Sequence, residues 1–135
     1  MKKYNLPLTY APKIPKVLSG ECRQTIRVGR KFKPCDLVSF HGWEGKPYRS
    51  KWSFRTPYFI ISTIVDLEIH SWGLLDSQTQ RELYWDMPWA NEIAERDGID
   101  PPTGEELGRV LCSMHKIPDE GLPAQIIVWA SLDRT

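Results

Sequence analysis

The sequence predicts an α+β domain, a partly closed β-barrel with two helices packed at one end. Three observations predict it. Apolar and β-branched runs of strand length sit near the middle and near the end of the chain. Two stretches with helical start and stop residues lie between them. Strands and helices do not alternate regularly, which argues against a parallel α/β sheet. At 135 residues, the chain matches one domain, 1–135, large enough to bury a core without disulfides or metal. Its 41% hydrophobic content and six Trp suit a folded chain, and 11 Pro and nine Gly imply many turns.

Residues 1–15 are punctuated by Pro7, Pro12 and Pro15 and read as an extended N-terminal segment. Pro15 opens a short helix over 16–19, and Gly20 ends it in a left-handed conformation. A strand over 24–27 follows, then a basic connection over 28–34 and a second strand over 37–41. Residues 42–57 form a basic-aromatic loop or irregular hairpin. It interleaves Trp43, Tyr48, Trp52 and Phe54 with Lys46, Arg49, Lys51 and Arg55. Residues 58–69 make the strongest strand. Asp86 is the expected N-cap of a helix with Pro88 in its first turn, and Gly98 is its expected stop. Thr103 and Glu106 fit a capping box for a helix over 104–115, with Leu107, Val110, Leu111 and Met114 on one face. A last strand over 124–132 carries the unbroken apolar run 126–129, so both its faces should be buried.

Charge is divided along the chain. Residues 1–60 hold 13 Lys and Arg against 3 Asp and Glu, whereas residues 61–135 hold 5 against 14. The formal net charge of +1 conceals this asymmetry. A basic half of this kind suits a polyanionic partner such as nucleic acid. The apolar runs are too short to span a membrane, and the N-terminus has no signal-peptide pattern, so a soluble cytoplasmic chain is expected. Cys22, Cys35 and Cys112 and the three His are scattered without metal-ligand spacing, so neither a metal nor another cofactor is expected.

The segment from Gly20 to Arg27 carries the strongest functional signal. A turn glycine leads into a strand that places Thr25 and Arg27 on one face, a hydroxyl beside a guanidinium able to hold phosphate or carboxylate. Lys33, Pro34, Cys35 and Asp36 open the next strand. Here the chain resembles the ASCH family, small PUA-like β-barrels related to RNA-binding modules. Members carry G-x-K-x-x-T-x-R, then G-D before the second strand. Gly20, Thr25 and Arg27 match the first motif and Asp36 the Asp of the second. Residues 93–99 match a helix end and 125–129 the closing strand. Cys22 stands where the family has Lys, and Cys35 where it has Gly.

The resemblance implies two activities of different kinds. One is binding of RNA, single-stranded nucleic acid or a modified nucleotide on the barrel face around Thr25 and Arg27. Gly20, Arg23, Gln24, Lys33, Trp43, Arg49, Trp52 and Arg55 would be further ligand-binding residues. The other is hydrolysis of an N4-acylated cytidine, for which ASCH-like amidohydrolases use a Lys, a Thr and a Glu. Thr25 matches the Thr and Asp97 the Glu, one methylene shorter. Threonine is a poor nucleophile without a base, so with Cys22 at the family position Lys31 or Lys33 would have to reach in.

Overall fold

The computed structural model describes residues 1–43, 46 and 51–132, with the backbone alone at Trp52. The fold is α+β: among the described residues, one mixed sheet of eight strands and three α-helices. Strand β1 (Lys3–Pro7) leads through a 3-10 turn (Ala11–Lys13) into helix α1 (Ile14–Ser19). Gly20 caps α1 at φ 83°, as its place in the sequence suggests, because a left-handed residue without a Cβ ends a helix at little cost. Strands β2 (Gln24–Val28), β3 (Leu37–Trp43), β4 (Trp52–Arg55) and β5 (Phe59–His70) follow. Then come β6 (Gly73–Asp76), β7 (Glu82–Tyr84), α2 (Pro88–Arg96), α3 (Gly104–Met114) and β8 (Leu122–Ser131).

All ladders are antiparallel except that of β1 on β3. The long β5 pairs with β3 at its start, β8 along its length and β6 at its end, with a register shift between Ile61 and Thr63. A bulge of this kind bends a strand and lets one sheet curl. The curl stops short of a closed barrel: among the described residues β2 pairs with β8 alone and β1 with β3 alone. The gap between β2 and the end of β1 is crossed by the Arg27 guanidinium, whose Nη2 donates to Pro7 O at 2.7 Å.

β8 separates two apolar cores. Ile126 and Ala124 face a cluster with Ala94, Ile99, Leu107 and Leu111, which seats α2 and α3. Ile127 and Trp129 face the inside of the curl with Val38, Phe40 and Ile61. Alternating residues of one strand thus serve opposite sides, and the expectation that both faces are buried holds.

Several details differ from the sequence expectations. The N-terminal segment contributes a strand, β1, and α1 begins two residues earlier, at Ile14. Met87, not Asp86, is the N-cap of α2, and no side chain caps that end; Pro88 at N1 supplies the helix start instead. Thr103 Oγ1 does accept from Glu106 N at 3.1 Å, but the Glu106 carboxylate pairs with Arg109, so only half of the capping box forms. Met114 is 51% exposed, at the end of the α3 face. Within the stretch 42–57, β4 pairs antiparallel with β3, with a register shift between Gly42 and Trp43, and residues 44, 45 and 47–50 lie outside the described residues. The expected ligand Arg49 and the aromatic Tyr48 lie outside the described residues. Strands β6 and β7 were not foreseen.

Candidate functional site

The open seam of the sheet holds a cavity of about 230 Å³. Pro7–Tyr10 form one side and residues 25–28 another; Ile99 and α3 close it with Val110, Leu111 and Met114, and His115 sits at the helix end. Lys13, Thr25 and Asp97 share this cavity with Arg27.

Each polar side chain arrives there for a local reason. Thr25 and Arg27 alternate with Ile26 along β2, so both face the seam while Ile26 enters the core beneath the helices. Lys13 ends the 3-10 turn, one helical turn before Val17, and shares the buried face of that segment with it. Asp97 is the C-cap of α2, and its N–H bonds Ile93 O at 2.9 Å. Gly98 follows at φ 76°, and Ile99 N returns to Ala94 O at 3.0 Å, a turn that aims Asp97 inward. Two β2-side residues pin the end of α2. The Cys22 thiol donates to Arg96 O at 3.3 Å, and Gln24 Nε2 reaches Ile93 O at 3.5 Å.

The three groups meet at short range. Lys13 Nζ lies 2.8 Å from Thr25 Oγ1 and 3.3 Å from Asp97 Oδ2. All three residues are buried, at 5%, 3% and 4% exposure. Burial pushes the Lys13 amine below its ordinary proton affinity, opposed by the attraction of Asp97. Burial likewise raises Asp97, opposed by Lys13. Each member is therefore moved toward its neutral form. The Cys22 thiol is buried and raised by that burial, so it is not a ready thiolate. The Cys22 sulfur and the Lys13 stem both lie close to Gly98, where a Cβ would be 3.4 Å from Cys22 Sγ and 3.1 Å from Lys13 Cγ.

Arg27 is the electrostatic hub of the seam. Its charge reaches Lys13, Asp97, His115 and His41. Both histidines are lowered, first by burial and then by the cations near them, so they are neutral at pH 7.

Of the residues expected from sequence, Thr25, Arg27 and Asp97 come together. Lys31 and Lys33 do not join them; both are exposed on the connection between β2 and β3. The amine comes instead from Lys13, which sequence reasoning missed. Gly20 and Arg23 lie on the exposed turn before β2, where Arg23 Nε donates to Gly20 O at 3.2 Å. The Trp43 ring stands edge-on to His41, 4.9 Å away. Arg55 is exposed on β4, where its Nη2 lies 3.3 Å from both Asn5 Oδ1 and Tyr58 Oη. A wider groove of about 600 Å³ lies between α2 and the sheet, lined by Gln24, Trp89 and Ile93 among others, but the buried acid–base pair is not in it.

Cys35 stands at φ 74°, the left-handed region that favours glycine. The next residue, Asp36, accepts from Lys2 N and Lys33 N at 3.0 Å each and ties this turn to the N-terminus. Among the described residues, no group of three His, Cys, Asp or Glu is placed to hold a metal ion. No helix there is long and apolar enough to cross a membrane. Comparison with protein-family models, curated proteins and solved structures finds no match to this chain.

Proposed function

We propose that the protein is a small amidohydrolase of the ASCH, PUA-like kind, removing the acyl group from an N4-acylated cytidine or a related nucleoside. One observation carries the proposal: a buried lysine amine 2.8 Å from a buried threonine hydroxyl and 3.3 Å from a buried carboxylate. It supplies the base that threonine needs and that position 22 lacks. Lys13 thus stands in for the family lysine, from a different place in the chain. Because Thr25 is buried, a ligand touches it only with a group that enters the cavity, which favours chemistry on a small group over binding across an open face.

The chemistry follows from the geometry. Neutral Lys13 accepts the Thr25 proton as Oγ1 bonds to the amide carbonyl carbon. The tetrahedral adduct collapses with cleavage of the carbon–N4 bond, and the Lys13 ammonium returns the proton to N4 as cytidine leaves. Water then attacks the Thr25 ester, giving its proton to Lys13. The carbon–Oγ1 bond breaks, Thr25 recovers a proton, and the carboxylic acid departs. Asp97 holds the ammonium between the two transfers, and Arg27 orients the substrate.

Incubating the protein with N4-acetylcytidine and following cytidine and acetate release tests the proposal. Release above buffer that vanishes in Thr25→Ala supports it. No release, or an unchanged rate in Thr25→Ala, ends it.

A further inference from the structure

The seam cavity has two unlike walls. One is polar, with Lys13 held to Thr25 at 2.8 Å and to Asp97 at 3.3 Å. The other is hydrocarbon: Ile99 and, on α3, Val110, Leu111 and Met114, with Leu8 from the chain after β1. Helix periodicity explains why α3 supplies it. Met114 follows Val110 by four residues and Leu111 by three, so the three side chains share one side of the helix. Position 108 lies about 200° round the helix from 110, on the other side. There α3 meets Trp85: a Cβ on Gly108 would fall 2.7 Å from the indole ring. The helix is backed by an aromatic ring, which holds its cavity side in place.

Burial separates the depth of the cavity from its mouth. Ile99, Val110 and Leu111 are buried, whereas Met114, a turn beyond Val110, is half exposed. Lys13, Thr25 and Asp97 are buried as well. The cavity thus opens near the C-terminal end of α3, and its depth holds both the reactive groups and the hydrocarbon wall. Tyr10 also lines it, with a hydroxyl tied to Asp100 N and Asp100 O at 3.1 Å each.

An N-acylated nucleoside then enters acyl group first. The carbonyl carbon has to reach Thr25 Oγ1, and a polar base and sugar gain nothing from a hydrocarbon wall. The carbonyl lies against the polar wall and the carbon chain against the other. An aliphatic cavity of about 150 Å³ is enough to hold a benzene ring, and this one measures about 230 Å³. The methyl of an acetyl group covers little of such a wall; a butyryl or benzoyl group covers far more.

We propose that Ile99, Val110 and Leu111 form an acyl-binding pocket, so that the group removed is a hydrocarbon acyl chain or ring of about four to seven carbons rather than acetyl. This rests on the amidohydrolase reading, but its first test is a binding measurement that needs no turnover.

N4-methyl-, N4-butyl- and N4-benzylcytidine carry no carbonyl and cannot be deacylated. Calorimetric titration should show affinity rising from methyl to butyl by about fourfold for each buried methylene. In the deacylation assay, kcat/KM for N4-butyrylcytidine should exceed that for N4-acetylcytidine about tenfold. Val110→Ala should shift the preference toward longer chains and Val110→Phe toward methyl and acetyl, whereas a purely structural effect would weaken all ligands alike. Equal affinities across the alkyl series, no binding by any member, or a chain-length profile that Val110→Ala leaves unchanged overturns the pocket. Chain-length-dependent binding with no release from either acylcytidine supports the pocket and removes the hydrolase reading. Release from N4-acetylcytidine with no gain for longer chains removes the pocket alone.

Discussion

Two polar clusters of the molecule differ in their access to water. Lys13, Thr25 and Asp97 are sealed between α2, α3 and β2; Arg55, Asn5 and Lys3 stand on the open face of β1 and β4. In the sealed cluster, charge is costly, so the amine and carboxylate are pushed toward their neutral forms. On the open face, charge is cheap to keep and weak per contact, so it serves attraction and orientation. The two clusters sit on different elements, the buried one on β2, the 3-10 turn and the end of α2 and the exposed one on β1 and β4.

Breaking the sealed cluster should have the largest effect. Lys13→Met removes the base and is expected to lower kcat by about 10²–10⁴-fold, read in a steady-state deacylation assay. It also leaves Asp97 buried without its partner, so the chain should lose about 3–5 kcal/mol in urea unfolding. Removing both charges separates the two effects. Lys13→Met combined with Asp97→Leu should be inactive yet at least as stable as the wild type, gaining up to about 4 kcal/mol. A double variant as unstable as the single one would show that the pair holds the fold together, contrary to a site kept for chemistry.

pH sharpens the same contrast. The folded Lys13 value is below the unfolded 10.5, so the unfolded chain binds more protons in that window; the stability from this group is present above 10.5 and lost as pH falls through the folded value. For Asp97, raised above 3.8, stability is present below 3.8 and lost as pH rises through the folded value. The pair therefore weakens the fold most between the two folded values, and the double variant should lose this trough in urea midpoints measured across pH. Catalysis needs neutral Lys13, so kcat/KM should rise with pH and level off before 10.5. A rise centred at or above 10.5 would exclude Lys13 as the base.

The smallest expected change lies outside both clusters. Cys35→Gly relieves a left-handed backbone, worth about 1–2 kcal/mol, and loosens the unfolded chain by about 0.5–1 kcal/mol. A net gain under about 1.5 kcal/mol, seen as a shift in urea midpoint with deacylation unchanged, is the expected outcome.

The site was legible where the pattern is local. Thr25 and Arg27 follow from strand alternation, whereas Asp97 was reached through the resemblance to the ASCH pattern and the helix stop at Gly98 only fixes where it lies. Lys13 was not legible, because its approach to Thr25 depends on the turn after β1 folding back over β2, a contact between segments. One trace of it is present in the sequence: Lys13 precedes Val17 by four residues, placing a lysine on the apolar face of a short helix, where a charge is out of place. Strands β6 and β7 escaped for a different reason: they are four and three residues long, too short for alternation to register. Met87 at the start of α2 escaped because Pro88 alone suffices there.

Gly98 has a consequence beyond ending a helix. The lysine stem and the Cys22 sulfur pass where a side chain at 98 would begin. A methyl group there would press on the Lys13 stem and would have to adopt a left-handed backbone at φ 76°, so the glycine that closes α2 also keeps room for the Lys13 amine beside Thr25.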